Sequence, residues 1–351
     1  MQALTVKIRI FPNQPDVLRQ LGQEYIQIVN KLTEQAEQHG TFPKVTTKDV
    51  ETLLPSAVCN QAIRDAKNIY RKIKKLSTRP ILKKPVYFVN NQNYTISENI
   101  VAFPIVVDGK TKKTAFHAIT TSRDMVLLGK AKTGLMRVVE KSGKWYAQIS
   151  LEVPTAESNN ENVMGIDLGL KVPAVSVTST GKTRFFGNGR QNKYTRRKYQ
   201  QRRRKLGKLK KMSAILKFGN KEQRWMKDQN HKISRQIVNT AIQENVSLIK
   251  LERLTNIRKT ARTSRKNAKN LYSWTFYQLQ QFISYKANLV GIRVSEVNPA
   301  YTSQICPACG GKNKVRDRKY ECSCGFNAHR DLVGAINILN QPLVDGNSLP
   351  A

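Results

Sequence analysis

The sequence predicts an α/β domain joined to a small β-barrel or sheet, with helices inserted into the barrel and a four-cysteine ribbon set into the α/β part. Three observations predict this. Strand-period alternation marks both ends of residues 1–155, with helix-period apolar stripes between them. Beyond residue 161, strands and helices alternate as they do in an α/β sheet. Towards the C-terminus, Cys306, Cys309, Cys322 and Cys324 fall at metal-ligand spacing.

Residues 4–10 read as a strand, with Leu4, Val6, Ile8 and Ile10 on one face and Thr5, Lys7 and Arg9 on the other. Pro12 ends it. A helix follows with the apolar stripe Leu18, Leu21, Tyr25, Ile28 and Leu32. A second helix is predicted from about residue 47 into Arg71-Lys72-Ile73-Lys74-Lys75, interrupted early by Pro55. Strands are predicted at 85–89, 100–107, 135–140 and 145–153. The last two form a hairpin around Lys141-Ser142-Gly143-Lys144, after which Trp145, Ala147, Ile149, Leu151 and Val153 alternate with polar residues. The polar stretch 156–161 reads as a linker. Strands at 163–170, 174–178 and 183–186 precede a basic helical region at 190–217 and a helix at 222–244. A strand at 247–254, a basic loop at 256–270, a helix at 273–290 and a strand at 292–297 lead into the cysteine module. A final helix runs from Ala328 to about Leu339. This is the element order of an RNase H-like α/β domain, much of which other α/β folds share.

Charge narrows the function. The formal net charge is +37, from 61 Lys and Arg against 24 Asp and Glu, and such an excess repels itself unless a polyanion neutralises it. Nucleic acid and an anionic membrane are the candidates. No apolar run approaches the roughly 20 residues of a membrane span, and no signal peptide precedes the first strand. A membrane-surface protein would carry its charge on one amphipathic helix, whereas here it is spread along the chain. The expected partner is therefore nucleic acid, with no membrane, and the expected location is the cytoplasm, at the nucleoid when DNA is bound. The clustered cysteines suit a reducing compartment. Cys59 stands alone in a helical pattern and reads as a small core residue.

In so basic a chain, three acids fall where burial is costly. Asp167 lies in Val163-Met164-Gly165-Ile166-Asp167-Leu168-Gly169, and Glu252 in Leu248-Ile249-Lys250-Leu251-Glu252-Arg253-Leu254. Asp331 follows an Asn327 N-cap in the first turn of the last helix. An ionised carboxylate in a dry strand costs several kcal/mol unless it is paired or binds metal. Gly165 and Gly169 leave room for a close-approaching ligand beside Asp167. Converging carboxylates suit Mg²⁺ or Mn²⁺, and two such ions about 3.5–4 Å apart promote phosphodiester hydrolysis. Each acid also has an ordinary reading: a turn or cap for Asp167, a solvated strand end for Glu252, a dipole partner for Asp331. The cysteines are more specific. Cys306-Pro307-Ala308-Cys309 and Cys322-Ser323-Cys324 form two knuckles whose thiolates would enclose Zn²⁺, although the second pair is one residue short of the usual spacing. Lys312, Lys314, Arg316, Arg318 and Lys319 put charge at the ribbon tip, and His329 reads as structural or substrate-facing.

These residues resemble the transposon-encoded TnpB (OrfB) proteins, relatives of the type V CRISPR effectors. The resemblance covers most of the chain after about residue 160 and rests on Gly165-Ile166-Asp167-Leu168-Gly169, Asn230-His231-Lys232-Ile233-Ser234 with Trp225, and Leu251-Glu252-Arg253-Leu254. Tyr285-Lys286-Ala287, Asn298-Pro299-Ala300-Tyr301-Thr302-Ser303-Gln304, the cysteine ribbon, and His329-Arg330-Asp331 through Gly334-Ala335-Ile336-Asn337-Ile338 carry it further. It implies a RuvC nuclease site at Asp167, Glu252 and Asp331. It also implies an oligonucleotide-binding-like wedge barrel at 1–12 and 80–155, a helical recognition lobe at 13–79, and a RuvC-like domain at 161–302 and 328–341. A zinc ribbon that contacts target nucleic acid would occupy 303–327, and 342–351 would be a tail. The implied activity is RNA-guided cleavage of double-stranded DNA beside a short duplex motif, the guide RNA coming from the element end. The segment with Arg190, Lys193, Arg196, Arg197, Lys198, Arg202, Arg203, Arg204 and Lys205 has no acid between Asp167 and Glu222, and reads as a guide or heteroduplex channel. Asn60, Gln61, Arg64 and Lys67 are candidates for reading the duplex motif. Two alternatives stay open: a transposase acting on element ends without a guide, and a non-cleaving RNA-guided repressor. The oligomeric state is open as well.

Overall fold

The computed structural model of the chain describes residues 2–76, 78–155, 160–254, 276–315 and 318–343. The basic loop expected at 256–270, Arg316, most of the 156–161 linker and most of the tail lie outside these residues. The chain divides into two compact units, Met1–Pro154 and Thr155–Ala351. Among the described residues, no helix is long and apolar enough to cross a membrane.

The first unit runs β1 (Gln2–Phe11), α1 (Pro15–His39), α2 (Ser56–Leu76), β2 (Tyr87–Val89), β3 (Thr95–Ser97), β4 (Ile100–Val107), β5 (Lys110–Ile119), α3 (Ser122–Lys130), β6 (Lys132–Lys141) and β7 (Lys144–Val153). Its strands form one antiparallel sheet in the order β2-β6-β7-β1-β5-β4-β3, with the first strand of the chain at its centre. Val6, Ile8 and Ile10 point to the core, as the alternation requires. The sheet curls. Tyr87 on one edge strand donates from its hydroxyl to the Pro104 carbonyl on β4 at 2.7 Å, and Tyr94, ahead of β3, reaches the Gly134 carbonyl on β6 at 2.6 Å. The helices sit between the first two strands in sequence, and Tyr25 on α1 donates to Asp65 on α2 at 2.8 Å. Cys59 is fully buried, in keeping with a small core residue.

Two departures have local causes. The second helix begins at Ser56 rather than near residue 47, because Pro55 accepts its first-turn bonds through its carbonyl but cannot extend a helix backwards. The strand β5 escapes hydrophobic patterning because it opens Lys110-Thr111-Lys112-Lys113-Thr114. Its mark in the sequence is Asp108-Gly109, both at positive φ (52° and 71°), the two-residue turn that suits the twist of a hairpin. The same geometry at Ser142 and Gly143 closes the predicted β6–β7 hairpin.

The second unit runs β8 (Asn162–Asp167), β9 (Ala174–Thr178), β10 (Thr183–Phe186), α4 (Gly189–Lys208), α5 (Met212–Phe218), α6 (Lys221–Gln243), β11 (Val246–Glu252), α7 (Phe276–Asn288), β12 (Arg293–Val297), β13 (Lys319–Glu321), β14 (Asn327–His329) and α8 (Arg330–Asn340). The main sheet has the order β10-β9-β8-β11-β12. β8, β11 and β12 are parallel, while β9 and β10 run antiparallel to their neighbours. Met164 and Ile166 point to one face, where they join Ile233, Ile237 and Val238 of α6 and Leu279 and Ile283 of α7. On the other face, Val175 and Val177 meet Ala335, Leu332, Ile336 and Leu339 of α8. The basic helical region is broken at Lys210, which takes a left-handed φ of 52° between α4 and α5.

The last helix corrects two expectations. It starts at Arg330, and Asn327 is not its cap: residues Asn327–His329 pair as β14 with β13 instead. His329 is the N-cap, its Nδ1 accepting from the Asp331 backbone N–H at 3.3 Å. Nor does Gly165 make room for a ligand. A Cβ there would lie 2.5 Å from both the Ala335 carbonyl oxygen and the Leu339 nitrogen, so the missing side chain is what lets α8 lie on β8.

Candidate active site and metal centre

Asp167 and Glu252 are the last residues of adjacent parallel strands, β8 and β11, registered through Ile166 and Leu251. Their side chains therefore emerge at the same end of the sheet. Asp331 comes to that end from α8, docked across β8 at Gly165. Gly334, one turn further along α8, faces Asp167: a Cβ there would sit 3.0 Å from Asp167 Oδ2. The structure brings the three acids to one end of the sheet, where the charges of Glu252 and Asp331 both act on Asp167. Among the described residues, only the four cysteines have ligand atoms all within 4.8 Å of one another, so the carboxylates form a more open cluster than the thiols.

The electrostatics follow from this crowding. Burial pushes Asp167 well above the ordinary carboxylate range, and the charges of Glu252 and Asp331 push it further, outweighing Arg318 and Arg330. Glu252 is also raised by burial, with a hydrogen bond from Thr302 opposing the shift. Asp331 is buried and compensated: the Arg318 guanidinium bridges both of its oxygens, the Oδ2 contact at 2.5 Å. The first turn of α8 adds its dipole. At the far end of that helix, Lys250 Nζ on β11 donates to the Leu339 and Gln341 carbonyls, each at 2.8 Å. The helix bearing Asp331 is thus tied at both ends. Thr302 was not legible as a contributor because it lies 50 positions from Glu252, and Arg318 because it sits among similar ribbon-tip cations.

The cysteine module fits one tetrahedral ion. The Cys306 and Cys324 sulfurs are 3.7 Å apart and those of Cys309 and Cys322 3.5 Å. Sulfurs about 2.3 Å from a zinc ion form a tetrahedron with edges of about 3.8 Å. A disulfide would need about 2.05 Å. The short second pair still closes, helped by Gly325 at φ 92° and a bond from the Cys322 N–H to the Phe326 carbonyl at 2.9 Å. A backbone N–H from Cys324 holds the Cys322 thiol down to about 6, while the neighbouring thiols push Cys324 up to about 12, so without a metal the proton is shared unevenly within the cluster. Cys306 packs with Tyr320 and with Val333 of α8, so the ribbon and the Asp331 helix share a core.

The basic residues are placed unevenly. On α4, Arg190, Lys193, Arg197, Arg202 and Arg204 are exposed, whereas Arg196 and Arg203 are half-buried. Burial lowers Arg196, and Arg203 pairs with Glu222 at 2.6 Å, so the first acid beyond the basic run does find a partner within it. On α2, Asn60, Arg64 and Lys67 are exposed. Gln61 is half-buried and donates to Asp65 at 3.0 Å, which commits its amide within the helix.

Two family profiles match the chain. One, described as probable transposase (OrfB_IS605), covers residues 146–258, and the other, Cas12f1-like, TNB domain, covers residues 276–338. The first contains Asp167 and Glu252; the second contains the four cysteines and Asp331. The chain is similar to the TnpB (OrfB) and Cas12f1 proteins over these two segments. Among its TnpB relatives, a TnpB-like protein of Methanocaldococcus jannaschii is 36% identical over 136 residues, 38% of this chain and 49% of that one. Cas12f1 of Sulfoacidibacillus thermotolerans, named a CRISPR-associated endodeoxyribonuclease, is 27% identical over 392 residues, covering 92% of each chain. A cryo-EM structure of a Cas12f1–sgRNA–target DNA complex shares the fold with a TM-score of 0.73 at 17% identity, covering 95% of this chain and 84% of that one.

Proposed function

We propose that the chain is an RNA-guided DNA endonuclease of a transposon, which binds a guide RNA from the element end and cleaves double-stranded DNA beside a short duplex motif. The observation that carries this reading is the meeting of Asp167, Glu252 and Asp331 at one end of a sheet ordered β10-β9-β8-β11-β12. We read that unit as an RNase H-like, RuvC-type nuclease domain at 161–302 and 328–341, with a zinc ribbon at 303–327. The curled sheet is read as an oligonucleotide-binding-like wedge barrel (1–12 and 80–155) and α1 and α2 as its recognition insert (13–79). The relatives' names and the complex of a fold-mate with guide RNA and target DNA support the same reading.

The donor set suits Mg²⁺ or Mn²⁺: hard oxygen ligands, with a raised Asp167 lacking enough positive charge to offset its neighbours. Bound divalent ions supply the activation of water and the charge that stabilises the leaving oxygen. The chain itself supplies the frame. Asp167 and Glu252 are fixed by strand register, and Asp331 by its helix. Arg318 provides the positive charge at Asp331, a charge that a bound divalent ion would replace. Exposed α4 cations and the net charge of +37 hold backbone phosphates, while base pairing to the guide supplies sequence specificity. We read its location as the cytoplasm, at the nucleoid when DNA is bound.

Purification from the native locus, with sequencing of the copurifying RNA, tests the reading. Re-programming that RNA should redirect Mg²⁺-dependent cleavage, and Asp167→Ala should abolish cleavage while leaving RNA binding intact. RNA-free protein that cuts or joins element ends would overturn the guided function.

A further inference from the structure

Of the three acids, Glu252 has the weakest support from its own element. It ends β11, and its longer side chain has an extra rotatable bond beyond that of an aspartate. What holds it comes from the segment after β12, where the Thr302 hydroxyl donates to Glu252 Oε1. Thr302 is 4% exposed, so the hydroxyl sits inside the protein and its bond is not exchanged with solvent. The carbonyl of the same residue accepts from Asn337 Nδ2 at 2.6 Å, and that amide also donates to the Ile305 carbonyl at 2.8 Å. Asn337 lies on α8, the helix that carries Asp331, and is itself buried. A continuous chain of hydrogen bonds therefore runs from α8 through Asn337 and Thr302 to Glu252. It references one acid to the helix of another. A purely structural threonine would have a local alternative, the Pro299 carbonyl at 3.4 Å, but the hydroxyl has a single hydrogen and the carboxylate is the closer acceptor.

We propose that Thr302 is the positioning residue of Glu252: its hydroxyl occupies one carboxylate oxygen and leaves the other turned towards the ion site, with Asn337 setting the spacing between Glu252 and the Asp331 helix. This rests on the nuclease reading above. The bond to Thr302 also favours the ionised form of Glu252, against the burial that raises it. Partners that orient a metal-binding carboxylate typically govern affinity by 10–100-fold when removed.

The test is Mn²⁺ binding to the full chain, followed by electron paramagnetic resonance, alongside thermal melting. Thr302→Val keeps the shape and removes the donor; it should weaken Mn²⁺ binding by about tenfold or more. Thr302→Ser keeps the donor and should bind as the wild type does. Should the valine variant fail to fold, Thr302→Ala carries the same expectation. Asp167→Ala serves as the control for the site as a whole. Mn²⁺ binding that is lost in Asp167→Ala but unchanged in folded Thr302→Val would overturn the positioning role alone. Binding unchanged in Asp167→Ala would remove the metal site on which it depends.

Discussion

Asp167 is the acid whose charged form this site favours least. Burial and two neighbouring acids favour its protonated form in the folded chain. Between the ordinary carboxylate range and its raised value, the folded protein holds a proton that the unfolded chain has released. Stability of the metal-free protein therefore falls as pH rises through that window. Asp167→Asn, neutral and of equal size, should remove this slope and raise the metal-free melting temperature at neutral pH by about 2–4 °C. Calorimetry in a chelating buffer checks both. A lower melting temperature for the variant would mean that the carboxylate already has a strong partner. Glu252 and Asp331 differ because the protein gives each a donor, Thr302 and Arg318. Neither donor was visible in the sequence: Thr302 lies 50 positions from Glu252, and Arg318 sits among ribbon-tip cations that look alike in one dimension.

At the scale of elements, the site depends on how closely α8 can lie on β8. Gly165 permits that contact on the strand and Gly334 permits it on the helix. Gly165→Ala would force a Cβ against α8 backbone at 2.5 Å, with no flexible side chain to give way. We expect a loss of roughly 1–3 kcal/mol in denaturant unfolding, with weaker divalent binding as Asp331 moves outward. Unchanged stability would show that the helix docks less tightly. The strands and helices of this unit were legible because their apolar periods are clean, as in Ala174–Thr178, which is buried throughout. The start of α8 was not. Asn327 has the chemistry of a cap, but pairing with β13 takes it into a strand and leaves the cap to His329. In the first unit, β5 was missed because its polar opening hides the pairing with β4, and α3 because nine residues with a Thr121–Asp124 capping box show no buried stripe.

Across the whole molecule, a net charge of +37 and a cluster of three acids belong to one physical problem. Positive surface suits a polyanion, and under the proposed function the acids would gather the cations that hydrolysis of such a backbone needs. The four-cysteine ribbon joins the two demands, since it shares a core with the helix of Asp331 and supplies the arginine that neutralises it. The sequence singled out the acids and cysteines as candidates. What it could not carry was the pairing of Arg318 and Thr302 with those acids, which depends on long-range docking. The most direct measurement is anomalous diffraction from crystals of the protein soaked in Mn²⁺. Manganese peaks bounded by the carboxylates of Asp167, Glu252 and Asp331, with the Arg318 guanidinium displaced from Asp331, are the predicted result. Crystals that bind manganese elsewhere, and leave Arg318 seated on Asp331 with the other two acids unliganded, would contradict the account.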